Sequence, residues 1–292
     1  NNSLDSNTTG ANNVGLGSNA LAGNTTASNN TAVGKSALFA NTTASNNTAV
    51  GKDALYANTT GANNVAVGSG SADALTTAGG TTAIGALAMG TGVVTGDHNT
   101  AVGYAAGAVL TSGISNTFTG VVSGNSTTTG SYNTAVGRSS LSANTTASYN
   151  TAVGTSALLA NTTGAYNTAS GYGAMLDNTT GEGNVAIGMY ALRRNTTASG
   201  NIAIGWDTLD ENTTGASNIA IGKQALTANT TGANNVAVGL EALAANTTGT
   251  DNTAVGANAL DANVTGTLNV AIGTDALGAY LGSTSTAVGY AA

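Results

Sequence analysis

A five-residue pattern of alternating side chains recurs through the whole chain. It reads Asn, Thr or Val, Ala, Val or Ile, then Gly, as in the segment from Asn64 to Gly68. Large and small apolar side chains alternate in it, and a period of two is typical of a β-strand. The β-branched Val or Ile before the glycine also favours extended backbone. The pattern therefore predicts a short strand that ends at this glycine, which we call the marker glycine.

The marker glycine returns at a nearly constant interval. Successive marker glycines lie 17 residues apart, with one extra residue before Gly103 and one fewer before Gly289. This repeat is too short for the helix pairs of α-solenoids, which exceed about 30 residues. Each repeat also holds an Ala-Leu pair, such as Ala37-Leu38, and an Asn-Thr-Thr-Gly/Ala turn. We expect a parallel β-solenoid, a left-handed roll of about seventeen coils, with two short strands per coil.

Stacked coils place equivalent residues in columns. We expect the large apolar columns to be buried, namely the Val column (Val33, Val50, Val67) and the Leu column (Leu38, Leu55). The other side of each strand carries small residues from Ala32 to Ala287, and only Gly15 and Phe118 interrupt this Ala row. It should face either a contact between chains or the packed interior of the roll. Because the core is thin, we expect copies of the chain to associate.

Two asparagine columns predict hydrogen-bonded ladders, because each amide can donate to the next one along the stack. The ladder residues that we single out are Asn30, Asn47, Asn64, Asn150, Asn161 and Asn178. One column also opens the Asn-x-Thr turn, which is a glycosylation sequon. In a glycosylating organism the acceptors would include Asn41, Asn58, Asn144 and Asn161; in a bacterium or phage the same residues are turns.

The composition argues against catalysis. Charged residues make up 7% of the chain, against about 25% in ordinary domains, and the net charge of −7 disfavours nucleic acid as a partner. The chain has no Cys and a single His, His98, so thiolate chemistry, zinc sites and a Ser-His-Asp triad are not expected. The acidic group at Asp207, Asp210 and Glu211 is read as a solvated cluster. We expect no enzyme activity, no cofactor, no metal and no membrane-spanning segment.

Two irregularities mark candidate contact residues. Repeats from about residue 69 to 132 lose the Asn-Thr-Thr turn, and they contain His98 and Phe118. Tyr132, Tyr149 and Tyr166 then occupy one position in three successive repeats, which predicts a column of rings. These five residues are the candidate ligand-contact set, because aromatic rings are effective anchors. The alternatives are sequence drift in a tolerant solenoid and a purely stabilising tyrosine ladder.

Segments such as Asn30 to Leu38 and Asn184 to Leu192 resemble the head repeats of trimeric autotransporter adhesins and related repeats of phage and bacterial tail-fibre-like proteins. The resemblance covers the whole chain. It implies a left-handed β-roll, three chains per fibre and an adhesive or spacer role at a cell or virion surface. Adhesin head repeats are usually shorter than this one, with less of the Asn-Thr-Thr turn.

We therefore expect residues 1–292 to form one continuous repeat domain, a fragment of a longer extracellular fibre, with atypical coils at about 69–132. The expected partners are copies of the same chain, in a trimer, and a cell-surface glycan or host receptor. The leading alternative is an ice-binding β-solenoid, because regular Thr arrays are also built on β-coils. A polysaccharide-cleaving solenoid would need paired carboxylates on one face, and the sequence shows none.

Overall fold

The computed structural model describes residues 2–292, and they form stacked coils without a helix. The chain divides into two compact units, the first ending at Tyr149 and the second running from Asn150 to Ala292. Each coil contributes one three-residue strand that ends just before the marker glycine. The first unit holds β1 (Val14–Leu16), β2 (Thr31–Val33), β3 (Thr48–Val50), β4 (Val65–Val67), β5 (Thr82–Ile84), β6 (Thr100–Val102), β7 (Thr117–Thr119) and β8 (Thr134–Val136). The second holds β9 (Thr151–Val153), β10 (Thr168–Ser170), β11 (Val185–Ile187), β12 (Ile202–Ile204), β13 (Ile219–Ile221), β14 (Val236–Val238), β15 (Thr253–Val255), β16 (Val270–Ile272) and β17 (Thr286–Val288).

Within each unit, consecutive strands pair in parallel and in the register that the repeat predicts. Val33 lies opposite Val50, and Val50 lies opposite Val67. The pairing absorbs the irregular repeats, because Thr82 lies opposite Thr100 and Val270 opposite Thr286. The predicted parallel β-solenoid is confirmed.

The predicted second strand is wrong. The Ala-Leu pair lies in a run of turns, and the leucine adopts a left-handed backbone conformation, with φ of +52° at Leu38 and +51° at Leu55. A strand needs a strongly negative φ, so these residues cannot extend a sheet. The turns are still tied from coil to coil, since the amide of Leu38 donates to the carbonyl of Ala54 over 3.0 Å.

The interior of each coil is lined by small residues and one large residue. Ala32, Ala37 and Leu38 of one coil are all fully buried. The Ala row therefore faces the packed interior, which was one of its two predicted positions. The predicted burial of the Val column is wrong: Val50 and Val67 are each 36% exposed. The leucine, turned inward by its left-handed backbone, fills the coil, and only alanine fits opposite it on the strand.

The marker glycine is required by the stacking of the coils. Gly154 has a φ of +130°, and a Cβ built on it would lie 2.5 Å from the carbonyl oxygen of Gly171 in the next coil. A side chain here would have to enter the backbone of its neighbour. This close approach explains why glycine recurs at this one position.

Candidate functional site

The first and third residues of every strand point away from the interior, and together they form the outer strand face. In β11 to β14 both positions are aliphatic without exception. Ile187 and Ile221 of this stretch are 42% and 37% exposed. In the first unit, β2, β3 and β5 to β8 instead carry Thr at the first position. Each unit thus presents regular rows of Val, Ile and Thr side chains, in register from coil to coil, on its surface.

The tyrosine position lies at a sharp turn on the edge of the outer strand face. Tyr132, Tyr149 and Tyr166 have φ values of +59°, +61° and +60°, and all three are exposed. His98 occupies the same repeat position with a φ of +60° and is also exposed. In the first unit the structure therefore brings His98 and the tyrosines into one column. Tyr166 lies in the second unit, at the equivalent position of its own coil.

The tyrosine rings in this column stack on one another. The centroids of Tyr132 and Tyr149 are 5.0 Å apart and their planes differ by 8°. The ring faces that meet in the stack are closed to a sugar, which would need an open face for stacking. The ring of His98 lies against the backbone of Gly80 in the preceding coil. The column offers edges and polar tips to solvent, as a stabilising ladder does.

Phe118 does not belong to a ligand-contact surface. It is fully buried at the centre of β7, so the expectation that it contacts a ligand is wrong. Its ring fills space that leucine occupies in regular coils, because Gly107 and Gly124 stand at the leucine position on either side of it. A Cβ on Gly107 would come within 2.8 Å of the phenylalanine ring. The large residue and the two glycines thus compensate for one another.

The atypical coils keep the solenoid by a similar exchange. Where regular coils bury the asparagine of the Asn-Thr-Thr turn, these coils bury Leu75, Val94 and Leu110. The asparagine ladder is replaced there by an apolar column. The stretch at about 69–132 is therefore a variation of the interior, and His98 is its candidate residue that reaches the surface.

The asparagine ladders run through the interior, and a shared carbonyl joins them. The Nδ2 of Asn41 donates to Asn24 Oδ1 over 3.0 Å and to the carbonyl of Ala44 over 2.9 Å. The Nδ2 of Asn30 reaches the same carbonyl over 3.0 Å. Among the other ladder residues, Asn47, Asn64, Asn150, Asn161 and Asn178 are all buried and hydrogen-bonded in the same way.

The sequon asparagines belong to the same ladders. The side chains of Asn41, Asn58, Asn144 and Asn161 are all fully buried. The Nδ2 atom that would carry a glycan donates hydrogen bonds to carbonyl oxygens within the coil. A folded coil does not present these nitrogens, so the glycosylation expectation does not fit the folded chain.

A cluster in the second unit was underestimated from the sequence. Arg193 grips Asp210 through two hydrogen bonds of 2.8 and 2.6 Å, and Arg194 pairs with Glu211 at 2.7 Å. These partners are 17 residues apart, which is the coil repeat. The hydrogen bond to Asp210 raises the pKa of Arg193, while burial and then the Asp210 carboxylate raise the pKa of Asp207. The acidic group is thus paired between coils.

Aromatic rings border this cluster, and cations cover one side of two of them. Lys223 Nζ lies 4.8 Å from the ring centre of Trp206, and the Arg193 guanidinium lies 4.9 Å from that of Tyr190. Tyr172 meets Tyr190 edge-on at 5.3 Å. The coil spacing, applied to the positions after each marker glycine, was the signal that would have brought these residues together.

The described residues include no group of three or more His, Cys, Asp or Glu side chains placed to hold a metal ion. Among residues 2–292 there is also no helix with the length and hydrophobicity needed to cross a bilayer. Comparison with protein-family models and with curated protein sequences gives no match. The argument for function therefore rests on the geometry of the coils.

Proposed function

We propose that this chain is a segment of a non-enzymatic extracellular fibre, in which three copies pack together and act as an adhesive shaft or rigid spacer at a cell or virion surface. The observation that carries the proposal is the outer strand face. Rows of Val and Ile side chains, one step per coil, are left partly exposed along both units. A contiguous apolar surface of this kind marks an interaction site.

The regularity of the surface supports self-association. A face that repeats with the coil period is matched best by another face with the same period, which is a second copy of the chain. The scarcity of charge fits this arrangement, because interface cores are depleted of charged residues. The resemblance to adhesin and tail-fibre repeats supports the choice of three copies.

Two charge-insertion variants test the association. In Ile187→Lys/Ile221→Lys, both charges lie on the outer strand face, two coils apart. In the control, Thr180→Lys/Thr214→Lys, two exposed turn residues with the same spacing are changed. Light scattering after size-exclusion chromatography should give about three times the 27.9 kDa of one chain for the unmodified protein and the control. The isoleucine variant should dissociate or lose its fold. A monomeric unmodified chain would refute the proposed association.

Ice binding is the second candidate, and one observation favours it. In the first unit, Thr and Val or Ile side chains alternate on the outer strand face as a flat, regular array, as in Thr48/Val50 and Thr82/Ile84. Such an array presents hydroxyl and methyl groups at the coil spacing of about 4.8 Å. A thermal-hysteresis measurement on the purified chain, with the Ile187→Lys/Ile221→Lys variant beside it, separates this function from a purely structural one.

A further inference from the structure

We propose that the first unit carries a monosaccharide site, in which a pyranose ring stacks on Tyr56 and its hydroxyl groups bind Lys35 and Asp73. The inference deepens the proposed adhesive function and rests on it. The site is a shallow pocket of about 390 Å³ on the turn side of three successive coils. Its volume lies within the range of small-molecule sites.

Tyr56 supplies an aromatic ring with one open face. One face is stacked on Phe39, with the ring centres 5.1 Å apart and the planes 5° from parallel. The other face is turned toward the following coil, where the equivalent residue is Asp73, a much smaller side chain. Tyr56 is 41% exposed. This differs from the pair Tyr132 and Tyr149, whose rings close each other's faces.

Two lysines in register supply hydrogen-bond donors beside the ring. Lys35 and Lys52 occupy the same position in neighbouring coils, and Lys52 is held by Asp53 at 2.8 Å. Lys35 is exposed and makes no ion pair with any described residue. Its ammonium group is therefore available to a ligand oxygen at the mouth of the pocket.

Asp73 supplies the acceptor. Its Oδ1 atom is buried and has no hydrogen-bond donor among the described residues. A buried oxygen without a donor is unfavourable, and a hydroxyl group brought to the carboxylate would relieve this. A simple anion does not fit, because Asp53 and Asp73 balance the two lysines. A neutral, polyhydroxylated ring offers donors for Asp73, acceptors for Lys35 and a C–H face for Tyr56.

The test uses saturation-transfer NMR on the full chain, with the methyl glycosides of glucose, galactose and mannose and the methyl glucuronide as probes. At least one probe should bind saturably, with a dissociation constant of about 1 mM or weaker, as a single sugar in a shallow site does. Tyr56→Ala should abolish the signal, and Asp73→Asn should weaken binding about tenfold. Tyr104→Ala, which removes an exposed ring elsewhere in the first unit, is the matched control and should bind normally.

The outcomes separate this site from the fibre proposal. The site is overturned if no probe binds, or if binding survives Tyr56→Ala in a chain with unchanged thermal unfolding. A chain that binds no probe and still assembles into trimers retains the fibre function without this site. Tighter binding of the glucuronide than of the glucoside, removed by Lys35→Gln, identifies Lys35 as the residue that selects carboxylated sugars.

Discussion

Ala66 and Val67 are neighbours in β4, yet Ala66 is fully buried and Val67 is 36% exposed. The larger side chain lies outside and the smaller one inside. This inversion of the usual order makes sense if the interior of a coil has room only for alanine beside leucine, while the valines form an interface between copies. The two residues should therefore respond to substitution in opposite ways.

The first prediction concerns this pair. Ala66→Val overfills the interior and should destabilise the chain by about 1–3 kcal/mol at every protein concentration. Val67→Ala removes apolar surface from the outer strand face and should mainly weaken association, so its unfolding temperature should fall more on dilution. Thermal unfolding of both variants over a hundredfold range of concentration distinguishes them. A concentration-independent loss for Val67→Ala would place the valine in the folding core alone.

Phe118 and its two glycines give a rescue experiment. Phe118→Ala should leave a cavity and cost about 3–5 kcal/mol of unfolding free energy. Adding Gly107→Leu and Gly124→Leu restores the regular coil pattern, since leucine adopts the same left-handed backbone at this position elsewhere, with φ of +52° at Leu38. The triple variant should regain most of the lost stability. Denaturant titration measures it, and no recovery would mean that the exchange is not compensatory.

The marker glycine provides a matched pair of substitutions. Gly154→Ala forces a side chain into the backbone of the next coil at a φ of +130°. The conformation alone costs about 1–3 kcal/mol, and the clash adds to this. Gly183→Asn, at a φ of +64° with nothing near a built Cβ, should be tolerated, because Asn46 has the equivalent place and φ in its own coil. Equal stability of both variants in calorimetry would contradict the stacking argument.

Much of this architecture is predictable from the sequence, and the failures have specific causes. The strand and its register follow from the spacing of residues such as Val33 and Val50, because parallel stacking requires one period throughout. The second strand was mispredicted because leucine rarely adopts a left-handed backbone, and only the closure of a small coil imposes it on Leu38. The pocket at Tyr56 depends on which ring face is open, and spacing alone does not determine that.

The pH dependence of stability should change at Asp73. Burial, with a further contribution from the Asp53 carboxylate, raises the pKa of Asp73 above its ordinary value of 3.8. A raised carboxyl pKa stabilises the fold fully below the ordinary pKa, and this contribution is lost as the pH rises through the folded-state pKa. Asp73→Asn should therefore gain stability over the unmodified chain at pH 7 and lose that advantage below about pH 3.8. Unfolding curves at pH 3 and pH 7 check the sign.

The central claim is that the outer strand face joins copies of the chain, and site-specific cross-linking tests it most directly. The chain has no cysteine, so a single Ile221→Cys substitution creates the only thiol. Treatment with a short bis-maleimide should then link copies into covalent dimers, while the turn variant Thr214→Cys should remain uncross-linked at the same protein concentration. Cross-linking of Thr214→Cys but not of Ile221→Cys, or of neither, would contradict the assignment of this face as the interface.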